Sequence, residues 1–277
     1  MSLTLRHLLT AVMVTVIFNA CTGGEMSDKV QQSAEGGIIV SDKVLAKVAE
    51  KKIFFGHQSV GFNIIDGISD IVKEEQGASL NIVKTNTPDV FSSPVFAHFT
   101  VGENNDPASK VKDFSRFMDN GIGDHADIAF LKFCYIDVNK TTDTDKIFSV
   151  YKETMDRLKN RYPKTQFVHV TVPLTVSEVS IKSLIKKLLG REDNNIKRNH
   201  FNERLIQEFS GQDPVFDLAG IESTSPDGNR STFTEGGKRY YSLAPEYSDD
   251  GGHLNEKGRR VAAVALLKFL SDIETHE

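Results

Sequence analysis

Serine, histidine and aspartate stand in two segments of this chain whose surroundings suit nucleophilic chemistry. Ser59 lies in F-G-H-Q-S-V-G, residues 55–61, whereas Asp250 and His253 lie in D-D-G-G-H-L-N-E-K-G, residues 249–258. A carboxylate three residues before an imidazole can hold the ring in the tautomer whose free nitrogen takes a proton from a serine hydroxyl. The residue types therefore predict a proton relay, provided that the fold brings the two segments together.

Each of these residues also has a structural interpretation. Serine is favoured at helix N-caps, and Ser59 stands directly before a helical pattern. The segment around Asp250 and His253 is equally consistent with a solvated acidic turn in which the imidazole caps nearby backbone. Local sequence alone leaves both interpretations open.

Hydrophobic patterning predicts the elements that must position these residues. Short apolar runs typical of buried strands are followed by stretches of helical periodicity. The runs are residues 52–55, 80–84, 127–133, 166–172 and 215–218, and the helical stretches are 41–50, 60–75, 108–118, 145–161, 196–209 and 256–273. This alternation predicts an α/β fold, a three-layer α/β/α sandwich of flavodoxin-like type around a parallel sheet of about five strands.

The predicted fold explains where reactive side chains are expected. Ligands of open parallel sheets bind at the carboxyl ends of the strands, and Ser59 follows the first strand at its turn into a helix. The N-terminus of that helix offers backbone N–H donors to a developing negative charge.

The two segments resemble the first and last blocks of the SGNH (GDSL-type) hydrolase superfamily. Two features between these segments match that superfamily in order. One is the segment 162–174, and the other is the pattern N-x-x-x-N-x-x-L, formed here by Asn195, Asn199 and a displaced Leu205. The resemblance covers nearly all of the chain after residue 40. It implies a serine esterase in which Ser59 attacks the ester carbonyl, His253 acts as base and then acid, and Asp250 orients His253. It implies no cofactor and no metal.

The expected oxyanion hole departs from the superfamily pattern, because no G-x-N-D block follows residues 127–133. Candidate donors are the Ser59 amide and Gly102, which lies between a strand region and the helix near residue 107. The missing side-chain donor has several candidates, and the sequence does not choose among Asn104, Asn105, Asn139, Lys132 and Tyr135.

Further residues are candidates for substrate contact. His57 and Gln58 precede the serine, with Gln58 where the GDSL motif has aspartate. His57 is placed to contact substrate or to act as an extra donor, and as a lone polar residue on a tight turn it is equally consistent with a structural role. Tyr135, Tyr240 and Tyr241 can stack on a substrate. The Gly- and Pro-rich residues 219–248 are expected to form a long loop at the wall of the site. Cys134 is expected to be a buried structural thiol rather than a nucleophile.

The N-terminus predicts export and a lipid anchor. The apolar run of residues 8–18 is too short to span a bilayer and is typical of a signal peptide. It ends in F-N-A-C, which resembles a bacterial lipobox with Cys21 as the acylated residue. Residues 1–20 are then the signal peptide, 21–39 a flexible tether and 40–277 the hydrolase domain. The lipid anchor is expected to hold the protein at the cell envelope. The outer membrane is favoured, because Thr22 is not the aspartate of inner-membrane lipoproteins.

Overall charge excludes one class of partner. The formal net charge is −5, so a basic face for nucleic acid is not expected. Two functions remain: an esterase acting on an O-acyl group of a carbohydrate or on a small lipid ester, and a surface-anchored ligand-binding protein on the same scaffold with little or no catalysis.

Overall fold

A six-stranded parallel sheet forms the centre of the protein. The computed structural model describes residues 40–75, 79–177 and 193–275, and the predicted signal peptide and tether lie outside these ranges. The strand order is β2-β3-β1-β4-β5-β6. The strands are β1 Lys52–His57, β2 Ile82–Lys84, β3 Val95–Thr100, β4 Ile128–Leu131, β5 Gln166–Val170 and β6 Val215–Phe216.

Helices cover both faces of this sheet, which confirms the predicted three-layer α/β class. They are α1 Asp42–Ala49, α2 Val60–Glu74, α3 Pro107–Asp119, α4 Thr144–Arg161, α5 Asn194–Phe209, α6 Leu218–Ser223 and α7 Glu256–Asp272. Alternate residues of a strand point to opposite faces, so Phe55 packs in the apolar cluster beneath α1, α2 and α7, and Phe54 in the cluster beneath α3, α4 and α5. Burial on both faces accounts for the continuous apolar runs of the sequence.

The sheet has one strand more than the predicted five. The additional strand is β3, the region before Gly102, where His98 interrupts an otherwise apolar run. Its position matters for the site, because β3 and β4 are the two neighbours of β1. The loops that follow β3 and β4 therefore flank the turn that carries Ser59.

Residues 219–248 are more regular than the expected loop. They contain most of α6 and an antiparallel hairpin of β7 Thr232–Glu235 and β8 Lys238–Tyr241. The described residues belong to one unit, residues 32–277. None of their helices has the length and apolar character needed to cross a bilayer.

Candidate active site

Ser59 occupies the sharp turn between β1 and α2 in an unusual backbone conformation. Its φ of 53° and ψ of −117° lie outside the regions that non-glycine residues normally adopt. Such conformations persist where the surrounding structure imposes them, and they are concentrated at functional sites. Ser59 stands at the N-cap position of α2, but its side chain makes no hydrogen bond to the helix N-terminus, so its hydroxyl does not act as a cap.

The serine hydroxyl instead begins a chain of hydrogen bonds. Ser59 Oγ lies 2.8 Å from His253 Nε2, and His253 Nδ1 lies 2.6 Å from Asp250 Oδ2. The other oxygen of Asp250 accepts the backbone N–H groups of Gly252 and His253, each at 2.8 Å. The fold thus brings the two distant segments into the geometry of a Ser-His-Asp relay.

These hydrogen bonds favour the ionised carboxylate of Asp250. The hydrogen bond with the His253 ring, followed by that with the His253 amide, holds the pKa of Asp250 well below its ordinary value. The carboxylate is therefore charged at neutral pH and stabilises a proton on the imidazole.

Residues around the serine support the turn rather than face a substrate. His57 is fully buried and its Nε2 lies 2.9 Å from His98 Nδ1. The His57 ring packs so closely on Gly61 that a Cβ at that position would lie 2.5 Å from it. The amide of Gln58 donates to the carbonyl oxygens of Val101 and Gly102 at 2.7 and 2.5 Å. The predicted substrate contact is therefore wrong for His57, and the Gln58 amide is occupied by backbone.

Two backbone donors are available at the start of α2. Neither the Ser59 nor the Val60 N–H donates to another group within the described ranges, as is usual for the first turn of a helix. The Gly102 N–H, by contrast, donates to Asp113 Oδ2 at 2.9 Å. The prediction of Gly102 as an oxyanion donor is wrong, because its hydrogen already has an acceptor.

The candidate side-chain donors of the oxyanion hole differ in their contacts. Asn139 Nδ2 donates one of its two hydrogens to the Ile136 carbonyl, and its oxygen accepts from Thr141. Lys132 is fully buried and donates to Phe133 O, which excludes direct contact with a substrate. Asn105 donates its backbone N–H to Asp137. Asn104 is exposed, and its carbonyl oxygen accepts from Lys110, which leaves its amide hydrogens facing away from that lysine.

Tyr135 is the predicted tyrosine that lies at the relay. Its ring stands edge-on to that of His253, with centroids 5.6 Å apart, and a Cβ at Gly252 would lie 3.0 Å from its hydroxyl. Tyr240 is wrong as a substrate contact, because it is 7% exposed and packs with Phe233 in the hairpin. Tyr241 stacks beneath Arg230, whose guanidinium carbon is 3.4 Å from the ring centroid.

Other reactive groups near the sheet edge do not form a second centre. Cys134 is a free, buried thiol, as expected, and Lys132 Nζ lies 3.6 Å from its sulfur. In the described part of the chain, no three His, Cys, Asp or Glu side chains are grouped to hold a metal ion.

The class that the fold and the site define is a three-layer α/β protein with a Ser-His-Asp relay at the carboxyl edge of its sheet. No protein-family profile and no curated protein matches the chain. Solved structures do: a candidate platelet activating factor from Streptococcus pneumonia is 15% identical, with 83% of this chain and 92% of that chain covered and a TM-score of 0.47.

Two further matches cover the chain to a similar extent. An acetyl xylan esterase is 15% identical, with 77% of this chain and 96% of that chain covered and a TM-score of 0.42. A candidate SGNH hydrolase from Slackia heliotrinireducens is 12% identical, with 78% and 96% covered and a TM-score of 0.43. The chain is thus similar, at low identity, to structures described as an SGNH hydrolase and an acetyl xylan esterase.

Proposed function

We propose that this protein is a serine esterase of the SGNH type. The observation that carries the proposal is the continuous relay from Ser59 Oγ through His253 to Asp250, with the serine at a helix N-terminus. Ser59 attacks the ester carbonyl while His253 takes its proton, and His253 then returns the proton to the leaving alcohol. Water deacylates the enzyme by the same path.

The oxyanion of the tetrahedral intermediate needs hydrogen-bond donors close to Ser59. The backbone donors are the N–H groups of Ser59 and Val60, for which the described part of the chain holds no acceptor. Asn104 is the candidate for the side-chain share, because Lys110 holds its carbonyl oxygen and neither of its amide hydrogens has an acceptor among the described residues, whereas Asn139 donates one of its two to Ile136.

The proposed substrate is an acyl ester of a small molecule or of a carbohydrate. Tyr135 beside His253 is placed to contact the leaving alcohol, because His253 is the group that protonates it. The lipid anchor at Cys21, and with it the envelope location, is part of the same proposal and rests on residues outside the described ranges.

The first experiment asks whether Ser59 is the nucleophile. Hydrolysis of p-nitrophenyl acetate and labelling by a fluorophosphonate are measured for the wild type, Ser59→Ala and Ser69→Ala, a matched control on α2. We expect labelling and turnover in the wild type and control, and neither in Ser59→Ala. Absence of labelling in all three proteins favours the alternative, a ligand-binding protein without catalysis, which the occupied Gly102 amide and the missing G-x-N-D block support.

A further inference from the structure

A fully buried ion pair joins the two loops that flank the serine turn. Lys110 of α3 lies 2.5 Å from Asp137, in the loop after β4, and both side chains have no exposed surface. The oxygen of Asp137 that contacts Lys110 also accepts the Cys134 N–H at 2.6 Å, and the other accepts the Asn105 N–H at 3.0 Å. One carboxylate therefore connects the loop after β3 with the loop after β4.

Stability alone does not account for such a pair. Removing two charges from water is costly, and apolar residues of similar volume are often as stabilising in the same place. A buried pair that bridges two loops beside a reactive side chain therefore calls for a role in positioning.

A further contact of Lys110 indicates that the ion pair positions Asn104. Lys110 Nζ also donates to Asn104 Oδ1 at 3.0 Å. An ammonium group has hydrogens only, so the carboxamide of Asn104 must turn its oxygen towards Lys110 and its NH2 group away. The loop that carries Asn104 is tied in turn to the residue before Ser59, through the bonds from Gln58 to Val101 and Gly102.

We propose that the buried pair of Lys110 and Asp137 is a positioning device that directs the Asn104 amide towards the oxyanion formed at Ser59. This inference rests on the proposed function. Lys110 and Asp137 touch no substrate in this scheme, and both act through Asn104.

A double-mutant cycle on kcat tests this coupling. kcat and KM for p-nitrophenyl acetate, and the melting temperature, are measured for Asn104→Ala, Lys110→Met and the double variant. Loss of one oxyanion donor lowers kcat by about 100-fold or more, with little change in KM. We expect Lys110→Met to lower kcat by about 10-fold, and the double variant to be no slower than Asn104→Ala. Lys112→Met, at an exposed position of the same helix, is the control and keeps wild-type kcat.

Two results overturn the proposal while leaving the esterase assignment intact. One is an unchanged kcat in Asn104→Ala, and the other is a double variant whose loss of kcat is the product of the two single losses. An inactive wild type defeats the esterase assignment itself. If Lys110→Met does not fold because Asp137 is left unpaired, the same cycle is run with the neutral pair Lys110→Met/Asp137→Asn, for which we expect the same non-additivity with Asn104→Ala.

Discussion

The Asp250 carboxylate accepts four hydrogen bonds, one of them from the Ser248 hydroxyl, although its side chain is 58% exposed. One oxygen accepts from the His253 ring and the other from two backbone amides of its own turn. The carboxylate is therefore oriented by local backbone and needs no buried partner. A charged acceptor in this place selects the tautomer in which His253 Nε2 is free to accept the Ser59 proton.

Replacing that acceptor tests its role at the scale of one residue. The carboxamide introduced by Asp250→Asn can present an N–H to His253 and stabilise the wrong tautomer, so we expect this variant to lower kcat by about 1,000- to 10,000-fold with little change in KM. Steady-state hydrolysis of p-nitrophenyl acetate measures both constants. The matched control is Asp249→Asn, which lies outside the relay, and equal losses in the two variants would contradict the assignment.

Helix α5 positions the loops of the site through polar rather than apolar contacts. Three buried asparagines face the backbone of two segments, the chain after β5 and strand β8. Asn195 pairs with Thr175, Asn202 with Val172 and Asn199 with Tyr241, each through both an N–H and a carbonyl oxygen. Arg198 adds bonds to the carbonyl oxygens of Tyr135 and Val138. A carboxamide matches one peptide unit as donor and acceptor, so each asparagine replaces a missing strand partner.

The bond pair of Asn202 predicts a loss of stability at the scale of this helix. Asn202→Ala leaves the buried N–H and carbonyl of Val172 unpaired, so we expect the free energy of unfolding to fall by about 2 to 4 kcal/mol. Urea denaturation measures this value. Gln207→Ala, at a position of the same helix outside the core, is expected to change it by less than about 0.5 kcal/mol, and equal effects would show that the paired amide is unimportant.

A single carboxyl group links the stability of the whole molecule to pH. Glu222 of α6 is 1% exposed, accepts the Leu174 N–H with one oxygen and, within the described ranges, has no hydrogen-bond partner for the other. Burial raises the pKa of Glu222 to about 8. The folded protein therefore keeps this proton over a pH range in which the unfolded chain has released it.

The raised pKa of Glu222 makes the folded protein lose stability as pH rises. Between about pH 4.5 and 8 the folded state binds one proton more than the unfolded state, so the contribution of Glu222 to stability falls as pH rises, by up to about 1.4 kcal/mol per pH unit. Glu222→Gln carries a neutral group at every pH. We expect urea denaturation from pH 5 to 8 to show a decline in the wild type relative to this variant. Parallel profiles would contradict a protonated Glu222.

Periodicity and local spacing were enough to determine the layers of the fold and the ingredients of the relay. Buried strands are apolar on both faces and surface helices are apolar on one face. Most strands and helices can therefore be predicted from residues that are close together in the sequence. The same holds for Asp250 and His253, which interact across a turn of their own segment. The placement of Ser59 at the end of β1 followed from the same patterning.

Tertiary structure alone decided what surrounds these residues. The insertion of β3 beside β1 buried His57 against His98, the approach of α3 gave the Gly102 N–H an acceptor in Asp113, and the hairpin removed Tyr240 from the site. The ion pair of Lys110 and Asp137 left no signal in the sequence, because a lysine in an amphipathic helix ordinarily faces solvent. These contacts join residues far apart along the chain, and their partners are chosen by the packing of whole elements rather than by the pattern of neighbours.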